Sequence, residues 1–97
     1  MKIVAVTACP TGIAHTYMAA EQLEKTAKKL GHSIKVETQG AMGIENKLTE
    51  ADIEAAGVVI LAVDIAVEEA ERFERVRTIK VPVQAAMKNP EAIFAQI

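Results

Sequence analysis

Two short runs, Lys2 to Val6 (KIVAV) and Val58 to Val63 (VVILAV), are almost unbroken in apolar, mostly β-branched residues. A strand carries side chains of that kind on both faces only when both faces are covered. Such burial belongs to parallel sheets with helices packed on each side. Few folds open to a chain of 97 residues supply that cover, and the length suits one compact domain over residues 1–97.

The segments between these runs fit the same plan. From Ile13 the apolar positions step by three and four through Tyr17, Ala20, Leu23, Ala27 and Leu30, one face of a helix that Gly31 ends. Ser33 to Gln39 (SIKVETQ) alternates, with Ile34 and Val36 expected inward and Lys35 and Glu37 toward water, as on an edge strand. Gly40 to Gly43 reads as a turn. Thr49 and Asp52 resemble a capping box that opens a short helix ending before Gly57. After Val58 to Val63 come Asp64, a polar helical segment from Glu68 to Glu74, and a charged strand from Val76 to Val81. Pro82 ends that strand, and the tail is helical with a break at Asn89-Pro90. Alternating strands and helices imply right-handed parallel crossovers. With the doubly apolar strands central and the charged ones at the edges, the expected fold is a three-layer α/β sandwich. Its sheet is open, four-stranded and parallel, in order 2-1-3-4, with helices on both faces. A crevice then opens between strands one and three at their carboxyl ends, where ligands bind in such sheets.

The sole cysteine, Cys9, falls at that crevice, in the stretch VTACPTGIAHT. Amides from Thr11 to Thr16 can converge there, Gly12 leaves the approach open, and the first helical turn adds unpaired N–H groups. A thiol at the rim of such an anion cradle is favoured as its anion, the nucleophilic form. The same amides could hold phosphoryl oxygens after the sulfur attacks phosphorus. Thr11 and Thr16 hydroxyls could add donors to that cradle. His15 stands where small tyrosine phosphatases carry an arginine, and an imidazole lacks the fixed fork with which arginine holds a phosphoryl group. A small phosphatase or arsenate reductase, a one-cysteine redox protein and a non-catalytic docking module are the competing readings. Cys9 and His15 alone are too few ligands for a metal, and a thioredoxin-like pair would need a cysteine where Gly12 stands. Asp64 reads as a cap for the helical segment that follows it. Arg72 and Arg75 among Glu68, Glu69, Glu71 and Glu74 read as a solvated face, and Met42 as packing or docking at its turn.

Composition excludes several classes. A net charge of −2 and 3% aromatic residues offer neither a basic surface nor stacking platforms for nucleic acid. No apolar run approaches the ~18 residues of a membrane span, and the run before Cys9 is shorter than the core of a signal peptide. One cysteine forms no internal disulfide, which fits a reducing cytoplasm.

TACPTGIAHT, together with VETQGAMG and VVILAVDIAVEEAERF, resembles the fructose-type enzyme IIB domain of the bacterial phosphoenolpyruvate-dependent sugar phosphotransferase system, over nearly the whole chain. The resemblance implies a four-stranded parallel sheet and no cofactor. It implies that Cys9 accepts a phosphoryl group from a phosphohistidine on enzyme IIA. Cys9 would then pass the group to fructose or a related sugar held by the membrane enzyme IIC. It further implies a phosphoryl-binding loop of Pro10, Thr11, Gly12, Ile13, Ala14, His15 and Thr16. The expected location is the cytoplasm, at the inner face of the membrane through IIC.

Overall fold

Strand β1 (Lys2–Ala8) is buried from Ile3 onward, and β4 (Val58–Val63) is buried at every position. They lie side by side and parallel, from Ile3↔Val58 to Ala8↔Val63. Strand β2 (Ser33–Gly40) flanks β1 and β5 (Thr78–Val81) flanks β4, both parallel. The computed structural model describes residues 1–10, 13–40 and 43–97, without the side chain of Ile13.

The four strands foreseen therefore stand in the foreseen order, but the sheet is larger and mixed. A short strand β3 (Gly43–Glu45) pairs antiparallel with β2 through Gly40↔Gly43, Gln39↔Ile44 and Thr38↔Glu45. The sheet is five-stranded, in order β3-β2-β1-β4-β5. The turn expected at Gly40–Gly43 thus closes a tight hairpin, with Gly43 at φ +84, a conformation that suits glycine. The end of β2 is an inner strand, not an edge.

Helices cover both faces. Helix α1 (Ile13–Lys29), α3 (Val83–Lys88) and α4 (Pro90–Phe94) bury Leu23, Ala27, Val83, Ala86 and Ile93 against Ile3, Ala5, Ile60 and Ala62. On the other face α2 (Glu50–Ala55) and a single 3-10 turn over Ala70–Phe73 place Ile53 and Phe73, with Leu48, on Val4, Val6, Val59 and Leu61. Each fully buried Leu or Ile contributes about 2 kcal/mol, so the apolar strands dominate the stability. The capping box forms as expected. The Asp52 amide donates to Thr49 Oγ1 (3.1 Å), and the Thr49 amide donates to Asp52 Oδ2 (2.9 Å). A hydrogen bond from Lys35 Nζ, then those from the Thr49 amide and hydroxyl, hold the Asp52 carboxyl at about 2.

The alternation of β2 is real, and Lys35 keeps part of its side chain in water as expected, but Glu37 and Gln39 on the same face do not. Glu37 is wholly buried beneath residues 46–49 and 68–72. Its Oε1 accepts from Arg72 Nη1 (2.8 Å) and the Leu48 amide (2.9 Å), and its Oε2 from Arg72 Nη2 (2.9 Å) and Gln39 Nε2 (2.7 Å). Gln39 in turn exchanges hydrogen bonds with both backbone groups of Glu68. Arg72, read as part of a solvated face, is an internal clamp. Glu71, Glu74 and Arg75 do face solvent.

Candidate functional site

Cys9 follows the last residue of β1 and α1 starts at Ile13, so the connection must turn within a few residues. Both of its ends are fastened. Thr7 Oγ1 donates to the Thr16 carbonyl (3.0 Å, buried), tying the end of the strand to the first turn of the helix. The Asp64 amide donates to the Ala8 carbonyl (3.0 Å), bringing the chain after β4 alongside. The crevice between β1 and β4 thus lies where the strand order requires it.

Cys9 is 8% exposed and borders the apolar cluster of the α1 face. Its sulfur lies 3.9 Å from His15 Nδ1. Beside it opens a cavity of about 360 Å³, lined among others by His15, Asp64, Pro82, Gln84 and Lys88. One water occupies about 30 Å³ in the liquid, so a tetrahedral oxyanion has ample room against the sulfur. A larger cleft, about 570 Å³, lies toward the amino-terminal ends of the strands between Glu54, Gly57, Arg75 and Arg77, and neither Cys9 nor a histidine lines it.

The other site residues expected from the sequence divide into three groups. Pro10, Ala14 and His15 are exposed, and His15 is the one with a contact to the sulfur among the described residues. Thr16 is buried, and among the described residues its hydroxyl has no hydrogen-bond partner. Thr11 and Gly12, the side chain of Ile13, and Met42 lie outside the described residues. Asp64 does not cap the segment that follows it. Its Oδ1 accepts from the Val83 amide (3.1 Å) and so seats the start of α3 against the end of β4. The residue capping the 3-10 turn is Glu69, in the left-handed region at φ 58.

Two elements of the site went unread in the sequence. Gln84 and Lys88 form a second wall, carried by α3. The available signal was Pro82, because a helix that starts directly after the last parallel strand starts at the carboxyl edge of the sheet. The other is Tyr17, counted in the core stripe of α1. It is exposed, and its hydroxyl donates to the Glu45 carboxylate, fastening β3 to the second turn of α1.

Comparison with known proteins places this geometry among relatives. The family model described as "PTS system, Lactose/Cellobiose specific IIB subunit" matches residues 4–96. The chain is 51% identical over 96 residues to the PTS system fructose-like EIIB component 2 of Escherichia coli K12, covering 99% of this chain and 91% of the relative. It is 50% identical over 94 residues to the 2-O-alpha-mannosyl-D-glycerate-specific EIIABC component of the same organism, covering 97% of this chain and 14% of that longer protein. A crystal structure of a domain from the fructose-specific IIABC component of Borrelia burgdorferi superposes with a TM-score of 0.92 at 56% identity, covering 97% of this chain and 89% of that one.

Proposed function

We propose a function from one premise: this chain belongs to the enzyme IIB family of the sugar phosphotransferase system, and is a phosphotransferase component of the fructose-like kind, a phosphoryl carrier in sugar uptake. Cys9 is the carrier. Its sulfur takes the phosphoryl group from a phosphohistidine on enzyme IIA and hands it to a sugar hydroxyl presented by enzyme IIC. The loop from Pro10 to Thr16 holds the phosphoryl oxygens between the two steps. The observation that carries this reading is the position of the sulfur at the β1–β4 crevice, with an oxyanion-sized cavity against it.

Enzyme IIA and enzyme IIC are the partners, and fused relatives that join A, B and C units support that pairing. Tyr17, Met18 and Ile65 are exposed on elements at the carboxyl end of the sheet, the end that also bears Cys9, and form the apolar part of the docking rim. Among the described residues no helix is long and apolar enough to cross a membrane. The chain works in the cytoplasm and meets the membrane through IIC. Its sugar is fructose or a relative, and IIC selects it. Relatives named for fructose-like sugars and for mannosylglycerate match this chain almost equally, at 51% and 50% identity, which fits selection of the sugar by IIC.

The test is incubation with phosphoenolpyruvate, the general carrier proteins and a IIA domain, followed by intact mass. A gain of one phosphoryl group is expected. A chain that stays unmodified while IIA is itself phosphorylated would overturn the reading. His15 supplies a second measurement. An imidazole 3.9 Å from the sulfur holds the phosphoryl group less firmly than a guanidinium fork would, and this weak hold keeps water from competing with the acceptor. His15→Arg should shorten the half-life of the loaded protein about tenfold, the worth of one added charge-assisted hydrogen bond in the hydrolytic transition state. An unchanged or longer half-life would count against this role.

A further inference from the structure

We propose that Lys88 is the cation that draws anions to Cys9, meeting the phosphoryl group from the wall opposite the cysteine loop. The proposal rests on the phosphoryl-carrier reading for its substrate, but not for its geometry.

The charge inventory of the cavity motivates it. Its titratable lining groups besides Cys9 are His15, Asp64 and Lys88. Asp64 is the wrong sign for an anion site, and its Oδ1 is already occupied by the Val83 amide. Of the two basic side-chain types present, lysine is the one that is cationic throughout the neutral range. Lys88 is therefore the one lasting positive charge among the described lining residues, and none of the ion pairs found among the described residues involves it. Lys25, Lys29, Lys35 and Lys47 do form such pairs, each with a carboxylate within 3.0 Å. The placement of Lys88 is built rather than incidental. Asp64 fastens the first residue of α3, and Val83 and Ala86 are buried in the core. The last turn of this short helix is thereby held at the cavity.

In the transfer step the Sγ–P bond forms as the N–P bond of the donor imidazole breaks. The thiol proton ends on the nitrogen released, and the phosphoryl group keeps its two negative charges. Lys88 offsets those charges where Asp64 would repel them. A compact ammonium suits this task, since it attracts the group without locking it in a fork.

Alkylation of Cys9 tests the electrostatics apart from the biology. Iodoacetate is anionic and iodoacetamide is neutral, so their rate ratio reads the local charge at the sulfur. Lys88→Gln should lower that ratio about fivefold at low ionic strength, the size of a single charge effect in a hydrated cleft. Lys88→Arg should restore it, and 1 M salt should erase the difference because the screening length falls to ~3 Å. Transfer from phosphorylated IIA should slow by a similar factor in Lys88→Gln. A ratio unmoved by Lys88→Gln, or a Cys9 that neither reagent reaches, would overturn the proposal. Phosphoryl labelling of the unaltered chain would still leave the carrier function standing in that case. Conversely, a ratio that falls in a chain that takes no label would uphold the charge at the sulfur and remove the carrier reading.

Discussion

Exchanging the Cys9 sulfur for a hydroxyl should leave a folded protein that takes up no phosphoryl group. Cys9→Ser is nearly isosteric, and the position is at the rim of the apolar cluster rather than its centre. The fold therefore loses about 1–3 kcal/mol, the cost of burying one more hydroxyl. The chemistry loses far more. An ordinary thiol already presents some thiolate at neutral pH, whereas a serine hydroxyl needs a strong adjacent base to attack. The imidazole beside the sulfur, His15 with Nδ1 at 3.9 Å, is an exposed ring for which no carboxylate partner of the catalytic-triad kind is found among the described residues. Labelling should fall by at least ~10³-fold, as when other enzymes lose their nucleophile. Intact mass with the phosphoenolpyruvate-driven donor system reads this directly, with circular dichroism and a urea melt to verify the fold. Label that persists on the Cys9→Ser variant would place the phosphoryl group elsewhere, and the site would have to be sought at His15 or His32.

How far the sequence foretold this depends on which force shaped each residue. Burial on both faces leaves an unmistakable mark, so β1 and β4 were legible, and with them the crevice and Cys9. Local hydrogen bonding was equally legible: the Thr49–Asp52 box, and the break before Pro90. Contacts made by polar groups across long separations were not. Asp64 seats Val83, nineteen residues on, and nothing in its neighbours announces that. Tyr17 and Leu30 matched the helical period but lie at the margin of the stripe, while Thr16 and Thr26 are buried within it. The three residues of β3 were too few for alternation to register, although the glycine-bounded turn before them was visible. Glu37 is the instructive error. A charged residue on the polar phase of an alternating strand reads as solvated unless its partner is known, and Arg72 lies 35 residues away.

That partnership predicts a large stability effect from a single polar substitution. Glu37→Gln should lower the free energy of unfolding by about 3 kcal/mol, the lower part of the range for breaking a buried ion pair from one side. The hydrogen-bond pattern shows why the amide is a poor replacement. Each Glu37 oxygen accepts two donors, Leu48 N–H and Arg72 Nη1 at Oε1, Arg72 Nη2 and Gln39 Nε2 at Oε2. Whichever way glutamine is turned, its NH2 faces two donors, and the guanidinium of Arg72, whose side chain is only 14% exposed, loses the carboxylate bonded to it. The pH dependence carries the sign. Burial alone would raise the Glu37 carboxyl, but the Arg72 hydrogen bond, those from Leu48 and Gln39, and the Arg72 charge outweigh it and hold the group below its ordinary 4.5. A depressed carboxyl stabilises the fold fully above its unfolded value, and that contribution fades as pH falls and is gone below the folded value. The gap between the unaltered protein and Glu37→Gln should therefore be widest above pH 4.5 and narrow in acid, where a protonated Glu37 is itself an uncharged group facing the same donors. Urea melts at pH 7 and at several acid values measure both. Replacing Glu37 and Arg72 together by leucine and methionine removes the stranded charge, yet leaves the Leu48 amide without its acceptor, a cost of about 1–3 kcal/mol. That double variant should fall between the other two proteins. If Glu37→Gln melts within about 0.5 kcal/mol of the unaltered chain, as an ordinary surface change does, the pair does not clamp the strands to the segment bearing Glu68.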